Sequence, residues 1–568
     1  MQKTGSEILI ECLLEQGVDT IFGYPGGTII NVYDALYQYQ DRIRHILTAH
    51  EQGAAHAADG YARATGKVGV CFATSGPGCT NLTTGIATAH MDSSPVVFIT
   101  CNVQTFLMGK DSFQEIDITG ITLPIVKNNY LVKRVEDLAD IVREAFAIAR
   151  SGRPGPVLID IVKEVTTAVT EYEPLPRSQH ASHGRLAALL RRATHDFRPP
   201  EPDTDDIDRL VEILENAKKP LVITGGGVVR GRAHRELLEL VEKLDSPVAV
   251  TVMGGGGISG RNPLVTGMIG MHGSEASNMA CGGCDVLLAV GCRFSDRVAL
   301  DPATFAKQAK IVQIDIDRAE INKNIETYHH IVGDAKQVLQ MVNARLTQAD
   351  HSEWKKYVFS FKTETEYAES NATLSPKQVL GTLVDELPRD TIVATDVGQH
   401  QMWTIQHFHF EYPGQLITSG GFGAMGFGLG AALGAKVGTP DKVVLHVTGG
   451  GSFRMNCNEL ATEQYYDIPV ITVIFNNGAL GMVRQWQTLT CGERYSQTTL
   501  DRGPDFVALA EAYGLQGCRV TNVEELQAAV REALACGHGF IIECTIDMDE
   551  MVCPMVGGGS PITDFLIH

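Results

Sequence analysis

Short, unbroken apolar runs recur along the chain, and each stops at glycine, an acid or a small polar residue. Such runs predict buried parallel strands, whose two faces are both covered by helices and so carry no polar side. Thr20–Phe22, Val68–Ala73, Val96–Cys101 and Val157–Ile161 are the strands expected in a first unit, with helical stretches such as AAHAADGYARATG between them. The runs PLVITGGGVV, SPVAVTVMGGGG, CDVLLAVGCRF and AKIVQIDID predict a second unit, and TIVATDVG, PGQLITSGG, DKVVLHVTGG, IPVITVIFNN and GFIIECTID a third. Alternation of strand and helix predicts parallel α/β layers. The expected fold class is α/β, with three consecutive parallel-sheet domains at 1–171, 208–345 and 376–568. Between them, 172–207 is rich in Pro, Arg, His and acids around one short basic helix, Arg185–Ala193, and reads as a linker. The stretch 346–375 reads as a charged, helical bridge.

At 568 residues and 44% apolar content, the chain supports about three domains of ordinary size. Its net charge of −20 excludes nucleic acid or an anionic membrane as the main partner, since both require a basic face. No apolar run approaches the roughly 18 residues of a membrane span. The N-terminal stretch reads as an amphipathic helix with acids inside it, so a cytoplasmic protein is expected. Thirteen cysteines, an odd number without a repeated spacing, speak against a disulfide framework. Cys281-Gly-Gly-Cys284 is a lone pair without a second pair or a His set, and carries no role.

Chemistry concentrates where two strands of the third unit end. Val443–Val447 runs into Thr448-Gly449-Gly450-Gly451-Ser452 and then a helical stretch, and Ile468–Phe475 stops at Asn476-Asn477-Gly478. Both carboxyl ends point at one crevice, and a glycine-rich turn feeding a helix offers bare N–H groups to a phosphate. In the first unit Glu51 stands among apolar residues at the start of a helix, where a carboxylate ordinarily serves the helix dipole. Gly421-x-Gly423-x-x-Gly426 fits a dinucleotide-binding fingerprint, but the next strand ends in Thr448-Gly449 without the acid that would hold a ribose.

Asn476 and Asn477 stand 26 and 27 residues after position 450. That spacing resembles the diphosphate-binding motif of thiamine diphosphate enzymes, Gly-Asp-Gly-Ser followed by Asn-Asn. Within those enzymes the chain is similar, over nearly all of its length, to the acetohydroxyacid synthases (acetolactate synthases). The resemblance rests on FGYPGG at 22–27, HEQGAAH at 50–56, ATSGPG at 73–78, SFQE at 112–115, SGRPGPVLIDI at 151–161, GMHG at 270–273, TDVGQHQMW at 395–403, GAMGFG at 423–428 and GMVRQWQ at 481–487.

The resemblance implies a pyrimidine-binding first domain, an FAD-binding central domain and a diphosphate-binding third domain, with thiamine diphosphate, Mg²⁺ and FAD as cofactors. It assigns Glu51 to the cofactor's aminopyrimidine ring as the acid–base group, with Gln114 and Lys163 beside it in the catalytic set. Gln399, His400, Gly423, Gly449, Gly451, Ser452, Asn477, Gly481 and Met482 would meet the cofactor, and Met425 would hold it bent. Asn477 and the Ala479 carbonyl would ligate the metal. Phe113, Arg297 and Trp486 would shape the pocket for a second 2-keto acid, a guanidinium suiting a carboxylate. Arg153, Met271, His272, Gly273, Arg293, Asp296, Asp315 and Asp334 would hold the flavin, whose role in these synthases is structural. The implied reaction decarboxylates pyruvate and adds the two-carbon unit to pyruvate or 2-oxobutanoate in branched-chain amino-acid biosynthesis. The implied assembly is a homodimer or homotetramer, with room for a separate regulatory subunit.

The chain departs from the family pattern at the metal-binding Asp, which is Gly450, and at Gly430, Ser295, Val162 and Gly557-Gly558-Gly559. These departures raise an alternative: a weakly active or non-catalytic homologue, or a related carboligase with another acceptor. Glu51 argues against glyoxylate carboligase, which lacks that carboxylate.

Overall fold

The computed structural model describes residues 1–180, 184–362 and 374–567. Among them are three six-stranded sheets, each parallel throughout. Across the first sheet the strands run Arg44–Leu47, Thr20–Gly23, Gly69–Ala73, Val96–Asn102, Val157–Val162, Asn128–Val132. The central sheet runs Val265–Met268, Val248–Val250, Pro220–Thr224, Val286–Val290, Lys310–Asp315, His329–Val332. The third runs Leu416–Thr418, Ile392–Thr395, Val444–Gly449, Ile471–Asn476, Phe540–Thr545, Gln516–Val520. Counted along the chain, the first and third sheets share the order 2-1-3-4-6-5, whereas the central one is 3-2-1-4-5-6. The central order reverses direction once, whereas the order shared by the first and third sheets reverses at 2-1-3 and again at 4-6-5; ligands of open α/β sheets bind outside the carboxyl ends of the strands at such a reversal.

Successive residues of each inner strand feed two cores, as a period of two requires. Val97, Ile99 and Cys101 enter one cluster of the first domain while Val96 and Phe98 enter the other. In the third domain Val473 and Phe475 face one cluster and Ile474 the opposite one.

Within the three six-stranded sheets five strands go beyond those expected, and all five lie at sheet edges: Arg44–Leu47, Asn128–Val132, Val265–Met268, His329–Val332 and Gln516–Val520. An edge strand has one neighbour and a partly wet face, so it need not be apolar. Asn128–Val132 and Gln516–Val520 each have a single buried residue, and Val265–Met268 is interrupted by Gly267. Within 172–207 a helix spans Gly184–Thr194 and buries Leu186 and Ala187. Residues 346–375 contain the helix Ser352–Phe359, and 363–373 of that expected bridge lie outside the described residues.

The first and third domains meet along two helices, α1 (Glu51–Thr65) and α2 (Phe427–Gly438). Helix α2, FGLGAALGAKVG, is small or apolar nearly all round, the composition of a helix enclosed by protein. The seam is tight enough to exclude side chains. A Cβ on Gly60 would lie 2.1 Å from the Ala431 carbonyl oxygen, and one on Gly434 would lie 1.8 Å from that of Ala57.

Candidate functional site

The third sheet reverses between Ile392–Thr395 and Val444–Gly449, and the segments leaving these two strands and the neighbouring Ile471–Asn476 adjoin one crevice, whereas the sequence pointed only to the last two. Asp396 ties them together from below. Its Oδ1 accepts from the Gly428 N–H at 2.9 Å, and its Oδ2 accepts from Thr448 Oγ1 at 2.7 Å and lies 3.0 Å from His446 Nε2. Burial pushes this carboxyl up, but hydrogen bonding to His446 and Gly428 outweighs it and holds the group below the usual range.

Above Asp396, helix α3 (Gly450–Asn456) starts at Gly449 without a side-chain cap. Its first N–H groups have no intrahelical partner, an arrangement that suits an anion. His400 stands beside the turn, with its Nδ1 2.9 Å from where a Gly449 Cβ would be, and its buried Nε2 has no hydrogen-bond partner. Burial pushes its imidazole down to about 4, so it is neutral at pH 7. Helix α4 (Gly481–Thr490) closes the other side. A Cβ on Gly481 would fall 1.8 Å from Gln399 Oε1, and one on Gly451 would fall 2.6 Å from Leu480 Cδ2 and 3.9 Å from Met425 Cε. Gln399, His400, Met425, Gly449, Gly451, Asn477 and Gly481 are thus brought together. Ser452 donates its hydroxyl to the Val397 carbonyl at 2.9 Å and braces the turn.

An orphaned buried imidazole nitrogen beside a glycine cradle fits a diphosphate. The donor set fits a magnesium ion poorly. Asn477 Oδ1 accepts from the Ala479 N–H at 3.1 Å, Gly450 offers no side chain, and no anionic ligand completes the group. Among the described residues there is no cluster of three or more His, Cys, Asp or Glu able to hold a metal.

The central sheet reverses between Pro220–Thr224 and Val286–Val290. There Gly225 and Gly227 meet Gly291 so closely that a Cβ on Gly227 would lie 2.5 Å from the Gly291 Cα. A cavity of about 1000 Å³ opens from this point toward the third domain. It is lined by Arg153, Met271, His272, Arg293, Asp296, Asp315 and Asp334 of the expected flavin set. Gly273 is not on its wall; it packs instead against Asn278. Burial raises the Asp315 carboxyl to about 6 and lowers the His272 imidazole to about 4, and His272 Nδ1 has no partner. Arg153 Nη1 bridges Glu320 at 2.7 Å and Asp317 at 3.3 Å, while its Nε donates to Ser93. Phe294 is buried at φ +50, a strained backbone of the kind that gathers at ligand sites. A glycine cradle, an acid at a strand end and an unpartnered imidazole fit a dinucleotide such as FAD.

Arg297, Trp486, Gly423 and Met482 stand on the same cavity wall. Arg297 is two-thirds exposed and pairs loosely with Asp296. Trp486 also packs against the apolar cluster of the central domain, so it is part core and part pocket.

The remaining expected residues collect at the carboxyl end of the first sheet. The helix cap at α1 is His50, whose ring accepts from the Gln52 N–H at 3.1 Å; Glu51 follows it, buried, and accepts from Asn81 Nδ2 at 2.9 Å. Gln114 sits at φ +59, and Lys163 donates to the Gly27 carbonyl at 3.2 Å. Phe113 is 86% exposed. None of these four contributes to the cavity wall, and Glu51 finds its hydrogen-bond partner within its own domain. The residues expected at the thiamine site thus fall into two groups, one on the first domain and one on the third.

Sequence reasoning passed over Asn81, Asp396, His446 and the Gly225–Gly227 turn. The last carried a signal, three glycines directly after a strand. Both thiols of the CxxC pair are buried, and burial pushes Cys284 up to about 12 and Cys281 well above its usual value.

Comparison with known proteins agrees with this geometry. Residues 3–121 match the N-terminal TPP binding domain of thiamine pyrophosphate enzymes, 207–342 the central domain and 396–544 the C-terminal TPP binding domain. The chain is 42% identical to a probable acetolactate synthase large subunit of Methanococcus aeolicus, over 99% of this chain and 95% of that protein. It is 41% identical to the acetolactate synthase isozyme 2 large subunit of Escherichia coli, over 99% of both. Identity to the acetolactate synthase large subunit of Corynebacterium glutamicum is 42%, over 99% of this chain and 90% of that protein.

Proposed function

The chain belongs to the thiamine pyrophosphate enzymes, in their acetolactate synthase branch, and from that premise we propose how its residues divide the work. It is a thiamine diphosphate-dependent carboligase. The observation that carries the reading is the crevice of the third domain, where neutral His400 with its unpartnered nitrogen faces the Gly449–Ser452 turn.

Bound thiamine diphosphate supplies the electron sink for loss of carbon dioxide from a 2-keto acid. The turn and His400 bind its diphosphate, and Met425 beside Gly451 props its middle. Glu51, oriented by Asn81, takes and returns the proton at the pyrimidine ring. Arg297 receives the carboxylate of the second 2-keto acid, Trp486 bounds the space for its alkyl group, and Phe113, Gln114 and Lys163 close the pocket from the first domain. Pyruvate with a second pyruvate or 2-oxobutanoate is the substrate pair of this reading. FAD fills the central cavity as a structural element.

Glu51 and the crevice residues form two half-sites, so a second copy of the chain completes the reaction centre, as a homodimer or homotetramer. A separate small subunit is a further partner of this reading, since the relatives are named large subunits. Among the described residues no helix is long and apolar enough to cross a membrane, and the cytoplasm is the expected compartment. The alternative of a non-catalytic homologue is not favoured, because the cradle is retained around Gly450 and full-length relatives carry the synthase name.

Formation of acetolactate from pyruvate, assayed with and without added thiamine diphosphate, Mg²⁺ and FAD, tests the reading. Absence of product at saturating cofactor would overturn it. Sedimentation of a fully active monomer would overturn the shared site.

A further inference from the structure

The cavity and the crevice are joined by one loop. Residues 419–426 connect the strand Leu416–Thr418 to helix α2. Ser419 to Gly423 line the cavity, and two residues later Met425 reaches within 3.9 Å of the Cβ position of Gly451 in the crevice. The loop braces itself by one hydrogen bond, from the Ala424 N–H to Ser419 Oγ, and Asn456 of helix α3 donates to the Gly426 carbonyl.

A buried charge cluster from the first domain grips this loop at its start, middle and end. Arg63 on helix α1 makes a bidentate pair with Asp59, at 2.7 Å through both Nε and Nη2. Its Nη2 also donates to Asp92 Oδ2 at 3.1 Å, and its Nη1 donates to the Thr418 carbonyl at 2.7 Å, just before the loop. The guanidinium lies 5.1 Å from the centre of the Phe427 ring, just after it. Asp92 Oδ1 accepts from the Gly421 N–H at 2.7 Å, in the middle. The three charged side chains are at most 1% exposed. Arg230 of the central domain donates to the Asp92 carbonyl at 3.2 Å, so all three domains meet here.

Buried charges at this spacing hold one geometry, because moving any partner leaves an uncompensated ion out of water. We propose that Arg63, Asp59 and Asp92 are positioning residues that set the 419–426 loop, and that through this loop occupancy of the central cavity strengthens binding in the diphosphate crevice. A ligand against Ser419–Gly423 favours the clamped loop, and the clamped loop places Met425 and the start of helix α2, whose Gly428 N–H is held by Asp396. The link is reciprocal: filling the crevice tightens the cavity by the same factor. It rests on the reading of the two sites as flavin and thiamine diphosphate sites.

The test titrates thiamine diphosphate onto the full-length protein, stripped of flavin or saturated with FAD, by calorimetry. In the parent protein FAD is expected to tighten thiamine diphosphate about tenfold, the usual scale of such coupling. Asp92→Ala removes the Gly421 acceptor yet leaves Asp59 and Arg63 paired. Gly421→Ala disturbs the same contact from the loop, since its methyl would fall 2.6 Å from Asp92 Oδ1. In both variants the effect of FAD should shrink to about twofold or less, while Asp92→Asn, which keeps an oxygen for the Gly421 N–H, should retain most of it. Should Asp92→Ala fail to fold, Gly421→Ala alone decides. A parent that binds FAD with no change in thiamine diphosphate affinity overturns the coupling alone, as does full coupling in both variants. A parent that binds no FAD overturns the flavin reading, and the coupling with it.

Discussion

The Glu51 carboxylate accepts a 2.9 Å hydrogen bond from the Asn81 side chain, and its other oxygen lies 3.2 Å from where a Gly78 Cβ would be. One oxygen is thus anchored, and the other faces space that exists because position 78 has no side chain. Glu51→Gln keeps the size of the group and removes its ability to take a proton. Because His50 supplies the cap of helix α1, folding and flavin absorbance should be unchanged, while carboligation falls roughly 10²–10⁴-fold. Steady-state turnover of the two proteins decides the point; equal rates would assign the proton to another group.

Trp486→Leu should change product ratio more than total turnover. A change in the apolar wall of a pocket is worth about 1–3 kcal/mol of discrimination, and part of the indole packs against the central domain instead. Competition between pyruvate and 2-oxobutanoate as acceptors reads the ratio. An unchanged ratio with a lowered melting temperature would mark Trp486 as core.

At Gly450 a Cβ would lie 3.3 Å from the Phe506 ring, close but within reach of a small ring movement. Gly450→Asp should therefore fold, and it supplies the anionic donor that the crevice lacks. Calorimetric titration should show tighter thiamine diphosphate binding in the variant, with the gain present only when Mg²⁺ is added. A gain without Mg²⁺, or none with it, would separate position 450 from any metal.

Glu463 is wholly buried, its Oε2 has no partner, and burial raises its carboxyl to about 8. The folded state therefore keeps a proton that the unfolded chain releases near 4.5. The stability this group contributes is full below the unfolded value and is lost as pH rises through the folded one, at about 1.4 kcal/mol per pH unit inside that window. Melting temperatures from pH 5 to pH 9 should fall more steeply for the parent than for Glu463→Gln. Parallel curves would show that the proton is not held.

Inner strands were legible because burial on both faces leaves only apolar residues, as in Val286–Val290. Five of the six edge strands of these sheets were not: Asn128–Val132 and Gln516–Val520, for example, obey local exposure and carry Asn, Gln and Arg. The crevice was readable for a related reason, since Gly449–Ser452 and Asn476-Asn477 follow directly on strands. Asp396 and Asp92 left no such trace, because each becomes meaningful only through partners far along the chain, His446 and Gly421.

The glycine seam between helices α1 and α2 sets how this protein tolerates change. Because a Cβ would come within 2.1 Å of a carbonyl oxygen at Gly60 and within 1.8 Å at Gly434, a single added methyl must drive backbone against backbone. Variation that drifts freely over the surface is barred along this line, and the mildest chemical substitution there does the greatest harm. Conditional mutants, folded in the cold and lost on warming, should map to these two helices although neither glycine lines the central cavity.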